Sequence, residues 1–379
     1  MLKYDRALDP SPVSHPVMEH ASIGPAVAVI SLRLKNLGAS ATVVGVACTS
    51  YWLAPYNQRQ LGSLFGSTTF SFTGAAFLFA ATLAYTALLG LYFLAVRTPA
   101  RSKSLRFLQV AAAFVRSPAR LVRQGLSHED RVAVLGTLLK VFFGPLMAMS
   151  LMVFCMGAID HGAAIVASGV SVESFRVLFD RHGFWFLMQI ILFVDVSIFT
   201  IGYLLEMPAL GNPIRSVDPT LLGWAAAMFC YPPFNTVSSA ILGSTRTDFP
   251  QFDDPTAHLV LNLSLLLLMA VYASASVALG LKASNLTHRG IVARGPYRLI
   301  RHPAYMCKNM AWWIGSTPLV LAAFAHSAFD GVQAVASVAG WTLLYVLRAV
   351  TEEDHLRSVD SEYAAYAARV RYRFVPGLI

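Results

Sequence analysis

Apolar residues run through this chain in blocks of spanning length, since a helix needs about 20 of them to cross a hydrocarbon core of roughly 30 Å. Eight such blocks stand out, at 37–56, 71–96, 132–157, 184–205, 220–243, 257–281, 309–329 and 331–350. The fifth contains Tyr231-Pro232-Pro233-Phe234-Asn235, and proline inside a helix removes a donor and breaks or kinks it. Within a bilayer the carbonyls freed by such a break must face protein or a cavity. The last two blocks are nearly contiguous and predict a tight helical hairpin. The pattern therefore predicts an all-α fold, a polytopic membrane helical bundle of about eight transmembrane helices.

Composition agrees with this class and adds an orientation. Of 379 residues, 56% are apolar and 13% charged, with a mean hydropathy of +0.57, whereas soluble domains carry about 25% charge. The net charge of +9 comes from 29 Lys and Arg against 20 Asp and Glu. With a cytoplasmic N-terminus, the segments 1–35, 97–131, 206–219, 282–308 and 351–379 lie inside and hold 23 of the cations. The outer loops hold 4, namely Arg59, Arg176, Arg181 and Arg246. This bias follows the positive-inside rule, predicts both termini on the cytoplasmic side, and accounts for the positive charge without nucleic acid.

The chain divides by pattern into an N-terminal arm (1–35), a transmembrane region of about six helices (36–281) and a C-terminal core (282–379). The arm has no short apolar core behind a basic start, so it reads as polar rather than as a signal peptide. In the loop 97–131, cations such as Arg101, Lys103 and Arg106 interleave with Leu105, Phe107 and Leu108, as in a helix lying on a membrane surface. Cys48, Cys155, Cys230 and Cys307 show no metal-ligand spacing. Asp195, in mid-span, is costly there; pairing with Lys140 and a functional role stand as equal alternatives.

Chemistry concentrates near the C-terminus. One segment runs Arg289-Gly-Ile291-Val292-Ala-Arg-Gly295-Pro-Tyr297-Arg-Leu-Ile-Arg301-His302-Pro303-Ala304-Tyr305. Gly295-Pro296 marks a turn, and Pro303 fits the first turn of a helix. Topology asks for basic residues here, but not for His302 or Tyr305. The second segment is Arg348-Ala-Val-Thr-Glu352-Glu353-Asp354-His355-Leu356, followed by Tyr363, Tyr366, Arg369, Arg371 and Arg373. Arg348 and Glu352 are four apart and so placed to pair on one helix face. Three acids in a row near a helix C-terminus oppose the dipole, a local conflict expected where carboxylates hold something else.

Together these motifs resemble the isoprenylcysteine carboxyl methyltransferase family of integral membrane methyltransferases, over about residues 280–379. The shared pattern is Gly295-Pro-Tyr297, Arg301-His302-Pro303-Ala304-Tyr305, a hairpin, Arg348-x-x-x-Glu352-Glu353-x-x-Leu356 and the spaced Tyr363 and Tyr366. The resemblance implies S-adenosyl-L-methionine as cofactor, under cytoplasmic segments that cover the helix ends. It implies cofactor contacts from Ile291, Val292, Tyr297, His302, Pro303, Ala304, Tyr305 and Glu352, and substrate contact from Arg348. Arg301 and Glu353 are further catalytic candidates. The chain departs from the family pattern at Arg289, where a His is usual, at Lys282, where a Gln is usual, and at Cys307, where a Gly is usual.

The resemblance implies methyl transfer to a lipophilic acceptor, such as an isoprenoid or prenylcysteine-like carboxylate, and the residue types are consistent with that chemistry. A carboxylate nucleophile is already ionised at pH 7, so positioning outweighs general-base catalysis. An amine acceptor would instead need a base, with His302 or Glu353 nearest. Tyr231 and Asn235, at the break in the fifth block, are candidate contacts for a lipid-like or lipidated acceptor entering from the membrane. Two other readings stay open: an NADPH-dependent reductase of the membrane sterol reductase type, which shares an Arg-His-Pro-x-Tyr motif, and a non-enzymatic membrane binding or transport protein.

Overall fold

In a computed structural model the chain is described over residues 23–66, 71–96, 99–168, 175–243 and 247–377. Residues 1–22 of the N-terminal arm, and the sequence-noted Arg97 and Arg246, lie outside the described residues. In chain order the helices are α1 (Ile23–Leu53), α2 (Gln58–Gly62), α3 (Gly74–Ala95), α4 (Lys103–Arg116), α5 (Pro118–Gln124), α6 (His128–Ser168) and α7 (Phe175–Leu178). They continue as α8 (Phe184–Leu204), α9 (Leu221–Met228), α10 (Asn235–Leu242), α11 (Pro255–Leu279), α12 (Pro303–His326), α13 (Ala328–Val359) and α14 (Glu362–Arg369). Sheet is confined to two short antiparallel pairs among the described residues: β1 (Leu64–Gly66) with β2 (Ser71–Thr73), and β3 (Ser216–Val217) with β4 (Thr287–His288).

Among the described residues six helices are long and apolar enough to cross a membrane: α1, α3, α6, α8 with its α7 lead-in, α11 and α13. The other two of the eight expected blocks are also helical but fall outside that set. The fifth is split into α9 and α10, each eight residues and so about 12 Å long at 1.5 Å per residue. The break spans Phe229 to Phe234, where prolines 232 and 233 supply no N–H to a continuing ladder. The seventh is α12, which has 24 residues, carries Lys308 and Asn309 in its second turn, and is not among the six.

The helix starts follow local chemistry. Thr73, Ser102, Thr220, Asp254 and Ser327 each accept a backbone N–H in the first turn of the helix that follows, satisfying a donor the helix leaves over. Ser327 is also the hinge of the predicted hairpin, since α12 ends at His326 and α13 begins at Ala328. The two helices meet tightly there: a Cβ on Gly331 would lie 2.1 Å from Phe324 Cδ1.

Packing centres on α6 and α8. Phe143, Met149, Tyr203 and Leu139 lie in one core cluster, while Phe184, Leu265 and Ala311 join α8, α11 and α12 in a second. The basic loop forms α4 and α5, and α4 has no buried residue. Arg106 of α4 pairs with Glu129 at 2.6 Å at the start of α6. Lys140 donates to Glu206 at 2.7 Å, and Lys103 pairs with the same carboxylate. The Lys140–Asp195 pairing considered from sequence is thus replaced: Asp195 accepts from Tyr272 at 2.9 Å and from Ser276.

Candidate functional site

The loop between α11 and α12 carries the first motif, and three separate restraints hold it over the helix ends. β3 pairs with β4, so the 212–220 connection is zipped to residues 286–288 by Arg215 N–H to His288 O (2.9 Å) and Asp218 N–H to Leu286 O (2.8 Å). Leu286 adopts φ 60°, a left-handed conformation costing an L-residue roughly 1 kcal/mol or more. Gly202 of α8 lets this loop approach closely: a Cβ there would lie 2.2 Å from the Ala283 carbonyl oxygen. The C-terminal segment closes the other side, with Arg301 N–H to Tyr372 O and His302 N–H to Arg373 O, both 2.9 Å.

Glu353 ties these pieces together. Its side chain is fully buried and accepts from Arg301 Nε (2.8 Å), His302 Nε2 (3.1 Å), Arg357 Nη2 (2.8 Å) and both Nε and Nη2 of Arg373 (3.1 Å each). One carboxylate thus joins the first motif, α13 and the C-terminal segment, and the several charged donors offset its desolvation. Above it Tyr363, Tyr366 and Val370 pack on Ile291, Ala293 and Leu356, and Tyr366 Oη donates to Tyr297 O at 3.0 Å. Burial pushes the Tyr297 phenol well up and that of Tyr366 to about 12, so both remain neutral donors at physiological pH.

Beneath this cover lies a cavity of about 160 Å³ lined from both motifs. Ile291, Val292, Tyr297, His302, Ala304 and Tyr305 come from the first motif, Arg348 and Glu352 from the second. Arg301 and Tyr231 also line it. Pro303, Glu353 and Asn235 do not: Pro303 is buried as the first residue of α12, Glu353 faces its cations, and Asn235 begins α10 beyond the break.

Arg348 and Glu352 do not pair with each other. Tyr305 Oη donates to Glu352 Oε2 at 2.8 Å, and the Tyr305 ring stacks on His302 at 5.3 Å between centroids. Arg348 donates to Asn285 Oδ1 and lies over the rings of Tyr305, Tyr231 and Tyr345 at 5.0, 5.4 and 5.8 Å, a cation–π box. Asn285 is itself fixed by Tyr203, whose hydroxyl accepts from Asn285 N and Nδ2 at 2.8 and 2.9 Å.

Several lining residues were not singled out as site residues from sequence. Arg289 is 2% exposed, and its Nη1 reaches the carbonyls of Asn212 (3.2 Å) and Leu281 (3.3 Å). Its Nε and Nη2 are buried with no protein partner. Such orphaned donors are uncommon and call for an explanation; burial also disfavours the Arg289 charge. The departure from the family pattern at this position was the available signal. Lys308 sits 5.2 Å from the Trp312 ring and 5.4 Å from that of Tyr345, and its position directly after Cys307, another departure, marked it equally.

Fold and site define an all-α integral membrane protein with an electropositive, aromatic-lined cavity covered by its C-terminal segments. Residues 256–358, from α11 to the end of α13, match the sequence model of the isoprenylcysteine carboxyl methyltransferase (ICMT) family. That part of the chain is ICMT-like, and the match supports a membrane methyltransferase. No curated protein and no solved structure matches the chain.

Proposed function

We propose that the protein transfers a methyl group from S-adenosylmethionine to the carboxylate of a lipophilic, isoprenoid- or prenylcysteine-like acceptor. The observation that carries this reading is the single cavity lined by Tyr297, Tyr305, Arg348 and Glu352 together, where the two halves of the family pattern meet. The donor set suits the cofactor. Glu352 offers a carboxylate for a ribose diol or ammonium, Tyr297 and Tyr305 offer rings for adenine or a sulfonium, and Arg289 offers two unused donors for the cofactor's own carboxylate. Ile291, Val292, His302 and Ala304 complete that wall, while Pro303 shapes it from behind.

When bound, S-adenosylmethionine supplies an electrophilic methyl group on its sulfonium. Arg348, its plane already set by Asn285 and three aromatic rings, orients the acceptor carboxylate by a bidentate contact, and Tyr231 flanks it. Lys282, Arg289, Arg301, Lys308 and Arg348 line the cavity against only Asp218 and Glu352. That balance favours an anionic acceptor over an amine. Arg301 supports this field, and Glu353 acts as a positioning residue by clamping Arg301 and His302. The asymmetry of cations between loops supports a cytoplasmic side for the termini and for this cavity.

The test is to titrate the purified chain in lipid nanodiscs with S-adenosylmethionine, S-adenosylhomocysteine and NADPH. Both sulfur compounds should bind. Glu352→Gln should weaken them about tenfold or more, the loss of a charge-assisted hydrogen bond, while Arg348→Ala should lower methyl transfer from labelled donor more than it lowers cofactor affinity. Tight binding of NADPH alone would overturn the methyltransferase reading, and binding of none of the three would favour a non-enzymatic role.

A further inference from the structure

A second and larger cavity, about 740 Å³, lies among α1, α3, α6 and α8, outside the family-matched segment. It is of the size that holds drug-sized ligands. Three helices turn one face each to it. From α1 come Asn36, Ser40, Val44 and Cys48, which follow one another at helical spacing over about 18 Å. From α6 come Lys140, Gly144 and Ala148, each four residues from the last. Gly144 is buried yet an added Cβ would meet nothing within 4 Å, so the space beside it is open.

The cavity is charged at one end only. Arg101, Lys103, Lys140 and Glu206 line that end, where α4 begins and α8 finishes, and the remainder is mostly aliphatic and aromatic, with Leu78, Leu89 and Phe93 from α3. Glu206 accepts from Lys140, Lys103 and the backbone N–H of Ile214 (2.9 Å), so three cations face one carboxylate that is already engaged. An elongated apolar slot between spanning helices, closed by surplus positive charge, matches an amphiphile with a long chain and an anionic head.

We propose that this cavity binds one anionic phospholipid of the surrounding bilayer, with an acyl chain along α1, α3 and α6 and its phosphate against Arg101, Lys103 and Lys140. The site reaches the methyl-transfer cavity through side chains, because Tyr203 lines the lipid cavity and accepts from Asn285, which lines the other. The proposal does not depend on the methyltransferase reading, since its readout is lipid retention.

The full chain is reconstituted in nanodiscs of phosphatidylcholine with one-tenth phosphatidylglycerol, released into the gas phase and weighed by native mass spectrometry. The parent should retain one phosphatidylglycerol at least tenfold in preference to phosphatidylcholine. Gly144→Leu should cut retention at least tenfold by filling the slot, and Arg101→Gln should reduce the preference for the anionic lipid severalfold. If Gly144→Leu does not fold, Ala148→Leu on the same face makes the same test. Equal retention of both lipids, retention unchanged by the filling variant, or displacement of the lipid by a prenylcysteine analogue each overturns the proposal, the last by assigning the slot to the acceptor.

Discussion

Replacing Arg289 by Gln separates a ligand-binding role from a structural one, because the two predict different effects on the protein without cofactor. Arg289 is buried, makes two long hydrogen bonds to the carbonyls of Asn212 and Leu281, and leaves Nε and Nη2 without partners. Losing two long bonds to carbonyls costs about 1–3 kcal/mol, whereas relieving orphaned buried donors returns about 1–3 kcal/mol. The unliganded variant should therefore be within about 2 kcal/mol of the parent. Losing charge-assisted bonds to a ligand carboxylate costs about 1.5–3 kcal/mol of binding, or roughly 10- to 150-fold in Kd.

The assay is thermal unfolding of detergent-purified parent and variant with and without S-adenosylmethionine. At a ligand concentration 100 times the parent Kd, stabilisation is about 2.7 kcal/mol. A variant weakened 30-fold retains only about 0.9 kcal/mol under the same conditions by the same relation. The expected result is thus a nearly unchanged Tm alone and a ligand-induced rise cut to about a third. An undiminished rise would refute the assignment of Arg289 to the cofactor carboxylate, and a large drop in the unliganded Tm would show that its contacts to Asn212 and Leu281 are its main role.

Two further outcomes follow from the charge clusters. Glu353→Gln leaves Arg301, Arg357 and Arg373 facing a neutral amide, so it should destabilise the protein by about 3–5 kcal/mol, as removal of one partner of a buried ion pair does; a Tm equal to the parent's would show that the cage contributes no stability. Burial raises the Glu206 pKa, but Lys140 and Lys103 outweigh it and bring it to about 2. A depressed carboxylate pKa stabilises the fold above the unfolded value near 4.5 and loses that contribution as pH falls toward 2. The stability advantage of parent over Glu206→Gln, on the order of 3 kcal/mol at neutral pH, should shrink steadily below pH 4.5, and a gap independent of pH would refute the pairing.

Much of the bundle was legible because hydrophobic length is a sufficient signal for a spanning helix. The blocks at 71–96, 184–205 and 257–281 correspond to α3, α8 and α11 within three residues at either end. The hairpin was legible too, since a two-block run with one polar residue between leaves no room for another connection. Inter-helix charge pairing was not. Whether Lys140 meets Asp195 or Glu206 depends on the relative rotation and register of α6 and α8, and hydropathy carries neither. The same limit hid the cavity among α1, α3, α6 and α8, whose faces differ little in composition from those turned to lipid.

The acidic run in α13 shows where motif reading stops and geometry takes over. Successive residues on an α-helix point about 100° apart, so Glu352 and Glu353 cannot serve one site in the same way. Glu353 turns into the cage of Arg301, His302, Arg357 and Arg373, and Glu352 turns to the cavity and Tyr305. Arg348 is one turn earlier than Glu352, yet Tyr305 is within reach of both: it donates to Glu352 and lies under the Arg348 guanidinium. Tyr305 therefore holds the acid and the base apart rather than letting them neutralise each other, which leaves a carboxylate and a guanidinium available on the same cavity. A helix that paired them directly, as their spacing permits, would present the cavity with a mutually neutralised pair instead.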